Sequence, residues 1–184
     1  MALKRFVIDG FGQLELNQFA APRDGRIEAQ LPLGDDFAEV AAENGMLLAV
    51  DNVNRVIKFP VAGEIFPIAL NYTTEHMYDE RAKGLKNFSL NKGEFLPRLG
   101  YLAVGDKFTT NCLCADDAEF ADIDALKAAY EAKEVLYGGI SEIGAIKVSA
   151  TKPAEGPVLM AIQGPGAGSM PDGQFAVKFQ VMAV

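Results

Sequence analysis

The sequence predicts a mainly β protein, an antiparallel β-barrel or sandwich with one amphipathic helix and an N-terminal arm. Short apolar runs separated by turn residues recur along the chain, whereas one segment alone has a sustained helical spacing. The clearest strand covers 175–181, where every second residue is Phe or Val. Many short strands with few helices indicate strands that pair mainly with one another.

The stretch 98–114 predicts a central hairpin. Its first arm, Leu99 to Val104, is almost entirely apolar, which suits a strand covered on both faces. Its second arm, Phe108 to Leu113, alternates polar and apolar residues, and Gly105-Asp106 between the arms favours a turn. We expect the two arms to pair and the other strands to build the core against them.

Residues 1–34 differ from the single β-rich domain that we predict for residues 35–184. They contain two short apolar patches joined by glycines, too small to form a core alone. Two interpretations stay open: an edge hairpin of the main domain, or an arm that adds a strand to a neighbouring subunit. On the arm interpretation, deleting residues 1–34 spares the fold. The candidate assembly contacts are Phe6, Val7, Ile8, Leu14 and Leu16.

Two helices are predicted from capping patterns. Asp36 and Glu39 have the spacing of a capping box, which favours a helix of about two turns ending at Asn44-Gly45. A longer helix is predicted over 116–136, with Gly138-Gly139 as its terminator. The apolar stripe of this second helix is Phe120, Ile123, Leu126 and Tyr130.

The other strands follow from turn residues. The segment 46–59 predicts a hairpin around the turn 51–54, because Asp and Asn stabilise turns through their own side chains. Pro67 cannot donate to a sheet, so the next strand begins at Ile68 or lies on an edge. Further strands are expected at 145–150 and 158–163.

Charge and hydropathy exclude some classes of partner. The formal net charge is −8, so we expect no nucleic-acid partner. The apolar runs Met46–Val50 and Val158–Ile162 are far shorter than the roughly 20 residues that span a bilayer, so we expect no membrane partner. The apolar stretch near the N-terminus stops at Asp9, and we expect no export by a signal peptide.

No catalytic, cofactor or metal site is predicted, and we expect the chain not to be an enzyme. The single histidine, His76, has no adjacent nucleophile motif. Cys112 and Cys114 are predicted to be reduced core residues, and with His76 they would supply only three zinc ligands. The loop 164–168 is rich in glycine but leads into another strand, not into the helix that phosphate binding needs.

Three segments resemble minor structural proteins of tailed bacteriophages, in particular small head decoration or cement proteins. The resemblance spans most of residues 36–184, and its motifs are turns and strands. These segments are Glu43–Asp51, Val104–Asn111, and Met170–Gly173 ahead of Val177–Val181.

The resemblance implies a non-enzymatic virion protein without cofactors that binds and stabilises the outside of the capsid. The implied partner is the major capsid protein, the implied state is a homo-oligomer such as a dimer or trimer, and assembly takes place in the host cytoplasm. Two alternatives stay open: a phage tail or baseplate adhesion module, and an intracellular β-barrel ligand-binding protein or enzyme.

Overall fold

The computed structural model describes residues 2–73, 85–95, 98–163 and 168–184, which form two β-sheets. The strands are β1 (Leu3–Arg5), β2 (Leu14–Glu15), β3 (Ile27–Glu28), β4 (Leu47–Asp51), β5 (Val56–Lys58), β6 (Ile68–Asn71), β7 (Leu99–Tyr101), β8 (Lys107–Thr110), β9 (Leu113–Asp116), β10 (Tyr137–Gly139), β11 (Ile146–Ser149), β12 (Val158–Ile162) and β13 (Val177–Ala183). The α-helices are α1 (Ala21–Asp24) and α2 (Ile123–Glu131), and short 3₁₀ turns lie at Asp35–Phe37 and Leu85–Asn87. The predicted mainly β class with one amphipathic helix is confirmed.

The larger sheet has eight strands in the order β1-β9-β11-β10-β12-β13-β8-β2, and the smaller has five in the order β3-β7-β6-β4-β5. Within these described strands every pair is antiparallel except β9 with β11, which is parallel. The larger sheet curls into a half-barrel. No helix among the described residues is long and apolar enough to cross a membrane.

The core consists of two apolar clusters, and β4 contributes to both. Leu47 belongs to the first cluster with Phe108, Leu126 and Phe179. Leu48 and Val50 of β4 belong to the second cluster. Every residue of β4 is buried, so β4 is a strand covered on both faces.

The predicted central hairpin at 98–114 is wrong, because its arms belong to different sheets. β7 pairs with β3 and β6, whereas β8 pairs with β13 and β2. The turn is present, since the amide of Asp106 donates to the carbonyl of Ala103 at 3.0 Å. Val181 of β13 then accepts from the amide of Gly105 and donates to the carbonyl of Asp106, both at 2.9 Å. The chain therefore crosses from one sheet to the other at this turn.

The predicted hairpin at 46–59 is confirmed as β4 and β5. Its turn is held by Asp51, whose Oδ1 accepts from the amides of Asn54 at 2.8 Å and Val53 at 3.0 Å. These hydrogen bonds, that from Asn54 above all, keep the pKa of the Asp51 carboxyl below its ordinary value. β6 begins at Ile68, directly after Pro67, as one of the two predictions for this strand requires.

The helix predicted from Asp36 is wrong beyond the single 3₁₀ turn Asp35–Phe37. The carboxylate of Asp36 accepts from the amide of Phe59 at 2.8 Å instead of capping a helix. Ala42 exchanges two backbone hydrogen bonds with Leu90, at 2.8 and 3.0 Å. These pairings join residues distant in sequence, so a local capping pattern does not reveal them.

The helix predicted over 116–136 exists but is shorter. Its N-cap is Asp122, whose carboxylate accepts from the amide of Ala125 at 2.8 Å. The helix ends at Glu131, and Lys133 adopts a left-handed backbone with φ +60°. The predicted apolar stripe does pack into the first cluster.

Gly138 and Gly139, predicted to end that helix, lie instead in β10. A Cβ at Gly138 would lie 2.9 Å from side-chain atoms of Ile146 and Phe179. A Cβ at Gly139 would lie 2.8 Å from the ring of Pro153. Close packing on both faces of β10, and not helix termination, therefore explains why glycine is present.

Residues 2–34 form one continuous segment, here called the N-terminal belt, that touches every edge of the two described sheets. β1 and β2 are the two outermost strands of the larger sheet, and β3 is an outermost strand of the smaller. The remaining edge strand, β5, is covered at Ile57 by residues 32–34 through two backbone hydrogen bonds of 2.9 and 2.8 Å. β1 and β2 do not pair with each other, because they lie at opposite edges of the larger sheet.

Some predictions fall outside the described residues. His76 belongs to this group, as do residues 164–167 of the glycine-rich loop. The strands predicted at 145–150, 158–163 and 175–181 are confirmed as β11, β12 and β13 within a few residues.

Candidate functional site

The candidate assembly contacts in the N-terminal belt divide into buried and exposed residues. Phe6 and Leu14 are 2% and 8% exposed and belong to the first core cluster. Leu16 is partly buried against the same cluster, and Ile8 is half-buried. Val7 is 86% exposed. In this structure Val7 is therefore the member of the set with most of its surface free for a partner.

A half-buried carboxylate, Glu43, anchors the start of the belt. Its Oε2 accepts from Nη2 of Arg5 at 2.8 Å and from the amide of Gly12 at 2.5 Å. Arg5 also donates to the carbonyl of Leu113 at 3.1 Å, next to the β1–β9 pairing. A Cβ at Gly12 would lie 2.5 Å from the carbonyl of Asn44, so this close approach requires glycine.

A second carboxylate, Asp106, is buried and anchors the end of the belt. Its oxygens accept from the amides of Ala103 and Ala20, at 2.9 and 3.2 Å. Nη2 of Arg26 lies 3.2 Å from Oδ2 of the same carboxylate. Asp106 thus joins the crossover between the sheets to two parts of the belt. The sequence signal was present in the Gly105-Asp106 turn, but its partners were not identifiable.

Phe19 is a core residue that the sequence analysis missed. Its ring makes edge contacts with Tyr72 and Phe108, with centroid distances of 6.0 and 6.4 Å. It lies directly over Gly100, where a Cβ would come within 2.3 Å of the ring. Phe19 had no alternating neighbours, so nothing in its local pattern marked it as buried.

Cys112 and Cys114 occupy the positions predicted for them: both are buried, not paired with each other, and in the second core cluster. Burial raises the pKa of Cys112 to about 12 and that of Cys114 to about 11, although the nearby Arg5 acts in the opposite direction. The thiols are therefore protonated at neutral pH, whereas a nucleophile or metal ligand is a thiolate. Among the described residues, no group of three His, Cys, Asp or Glu is placed to hold a metal ion.

An apolar groove of about 400 Å³, here called the C-terminal groove, is lined by Phe66, Pro67, Leu102, Pro157 and Val184. Under it lies an ion pair, with Nζ of Lys58 3.2 Å from Oε2 of Glu64. Burial alone would raise the pKa of Glu64, but hydrogen bonds from the Phe66 amide and Lys58 keep it below its ordinary value. The same Lys58 ammonium lies 4.7 Å from the centre of the Phe66 ring.

Two exposed apolar residues, here called the rim, flank residues of the C-terminal groove along the chain. Ile65, which precedes Phe66, is 86% exposed, and Val104, two residues after Leu102, is 66% exposed. Val184 at the chain end is also exposed. Grouped apolar residues of this kind mark contact surfaces in soluble proteins.

A second groove, here called the acidic groove, lies over the outer face of β9, β11 and β10. It has two lobes of about 650 and 360 Å³ that share Asp116, Ile140, Lys147 and Glu155. One wall of the larger lobe is the loop 151–155, and the smaller lobe extends to residues 60–62. On its floor, Nζ of Lys147 pairs with Oδ2 of Asp116 at 2.8 Å.

Comparisons with protein-family models, with curated proteins and with solved structures find no match to this chain. The resemblance to phage head decoration proteins therefore stays a prediction, and arguments about function rest on the surfaces described above.

Proposed function

We propose that this chain is a non-enzymatic virion structural protein that binds the outside of a phage capsid and stabilises it. The observation that carries the proposal is the C-terminal groove with its exposed rim residues Ile65 and Val104. Covering such a surface with a partner removes apolar area from water, which stabilises the complex by about 25 cal/mol for each Å² that is buried. The partner is the major capsid protein, and several copies of the chain act together as a dimer or trimer.

The use of the buried and half-buried carboxylates supports a structural role. Glu43 and Asp106 direct their oxygens to backbone amides and arginines of the N-terminal belt. Asp51 holds the β4–β5 turn in the same way. Two or three such hydrogen bonds to one carboxylate hold the local fold, which favours a rigid scaffold for a contact surface.

The proposal is tested with a double variant of the rim, Ile65→Asp with Val104→Asp. The matched control is Val40→Asp with Val53→Asp, which places the same two charges at exposed valines away from the groove. Binding is measured by co-sedimentation with capsids that lack the protein, and thermal unfolding confirms that each variant is folded. The rim variant should bind at least roughly tenfold more weakly, and the control should bind like the unaltered chain.

Absence of binding by the unaltered chain would contradict the capsid role itself. Equal binding by the rim variant and the control would place the capsid contact elsewhere on the surface. The adhesion alternative predicts that a glycan array shows binding of a specific glycan. The ligand-binding alternative predicts that a small molecule raises the melting temperature in a thermal-shift screen.

A further inference from the structure

We propose that the acidic groove is a second docking site, which takes an extended, basic and partly apolar peptide segment of a protein partner. This goes beyond the capsid contact at the C-terminal groove, because different residues line the two grooves.

The floor of the groove includes a strand position without a side chain. Gly139 of β10 lies opposite Lys147 of β11 in the register and contributes backbone alone to the floor. Pro153 packs against Gly139 so closely that a Cβ there would lie 2.8 Å from its ring. The loop 151–155 is tied to the other end of the groove, since Glu155 accepts from the amide of Gly63 at 2.6 Å. The space is therefore built between two fixed walls.

The charges of the lining favour a cation. Its acids outnumber its bases, and Lys147 is already paired with Asp116 at 2.8 Å. The acids are Asp116, Glu119, Glu142 and Glu155, and the bases are Lys147 and Lys152. The chain as a whole carries a formal charge of −8, which also attracts a basic partner.

The shape and the apolar lining favour a peptide over a small cation. Two lobes that share a floor make an elongated groove, as an extended segment requires. Apolar side chains stand between the charged ones and would contact alternate residues of such a segment. They are Leu3, Val61, Ala118, Ile140 and Pro153.

The test uses the full chain and a fluorescein-labelled nine-residue peptide that alternates lysine and leucine, with a glutamate–leucine peptide as the comparison probe. Fluorescence anisotropy gives the dissociation constants at low and high salt. Ala118→Trp fills the larger lobe, and Glu142→Lys reverses a charge in the smaller lobe. Matched controls are Ala128→Trp on the exposed side of α2 and Glu39→Lys, both exposed and outside the acidic groove.

The lysine–leucine peptide should bind more tightly than its glutamate counterpart and should weaken as salt is raised. Each groove variant should weaken binding at least roughly tenfold, and each control should stay within about twofold. Having one steric and one charge variant keeps the test decisive if either fails to fold. Equal affinity for both peptides, or equal weakening by the controls, would overturn the proposal. No capsid is present, so a failure here is distinct from a failure of the proposed function.

Discussion

The pair β8–β13 is joined over four consecutive registered positions, whereas β2 and β3 of the N-terminal belt have two residues each. The central pair also has two rings in tilted contact, with the centroids of Phe108 and Phe179 6.0 Å apart. The belt relies instead on isolated anchors, namely the carboxylates Glu43 and Asp106 and the inserted ring of Phe19.

The difference shows two ways to complete a β-sheet. The centre is held by continuous hydrogen bonding and apolar burial. The edges are closed by very short strands, and Glu43 and Asp106 accept hydrogen bonds from backbone amides of the segments between those strands. The following predictions test whether the belt is as necessary to the fold as the centre.

Deleting residues 1–34 should have the largest effect. It opens all the described sheet edges and removes Phe6, Leu14 and Phe19 from the core. We expect the loss of a cooperative thermal transition, since the removed burial rivals the roughly 5–15 kcal/mol of total stability of a domain. Circular dichroism and dye binding to exposed apolar surface measure this, with removal of residues 1–2 as the control. A retained transition would restore the separable arm that the sequence suggested.

Replacing a single buried phenylalanine by alanine should have the next largest effect on stability. Phe179→Ala should lower the free energy of unfolding by about 3–5 kcal/mol, because it leaves a cavity in a rigid centre. Phe6→Ala should cost about 2–3 kcal/mol, because an edge can relax into the space. Urea denaturation of both variants gives the comparison. A larger loss for Phe6 than for Phe179 would reverse the ranking of the two regions.

Removing the charge of the first anchor should have a smaller effect. Glu43→Gln keeps the shape but weakens the hydrogen bonds to Arg5 and Gly12, for an expected loss of about 1–3 kcal/mol. Arg5→Met combined with Glu43→Gln should cost less than the sum of the single changes, because the pair is coupled. Additive losses in denaturant unfolding would show that Glu43 and Arg5 act independently.

A last effect, which grows gradually with pH, is expected in alkaline solution. Burial raises the pKa of Cys112 to about 12 and that of Cys114 to about 11, from 9.0 without it. The unfolded chain therefore loses these protons first, and stability falls as pH rises above about 9, by at most about 1.4 kcal/mol per pH unit for each thiol. Cys112→Ala with Cys114→Ala should reduce this slope between pH 9 and 11. An unchanged slope would assign the loss to other groups.

The sequence predicted those parts of the fold that are local. The β4–β5 turn, the start of β6 after Pro67 and the alternation of β13 depend on neighbours in the chain, so their patterns were sufficient. The 98–114 hairpin was wrong because the partner of its turn is Val181, more than seventy residues away.

The candidate surfaces were less predictable than the strands. The acidic groove depends on Gly139 facing Lys147, and the sequence suggested a helix terminator at that glycine. The C-terminal groove brings Phe66, Leu102 and Val184 together from three distant segments. Leu14 and Phe6 were identified as apolar, but whether they face a neighbour or the chain's own core depends on pairings with β8 and β9.

The belt also has a consequence for the order of synthesis. Arg5 donates to the carbonyl of Leu113, 108 positions later, and the carbonyl of Gln13 accepts from Thr110, 97 positions later. The belt is therefore synthesised well before the residues that it pairs with, and it waits for them. Contacts of such long sequence separation slow folding, because a large loop has to close before they form.

During this interval the nascent sheets have open edges, and the belt of one copy has the same complementarity to another copy's edges as to its own. Within one polysome, neighbouring chains lie close enough for such an exchange to compete with the internal closure. The spacing between ribosomes on the message thus becomes a variable that affects how many molecules close upon themselves.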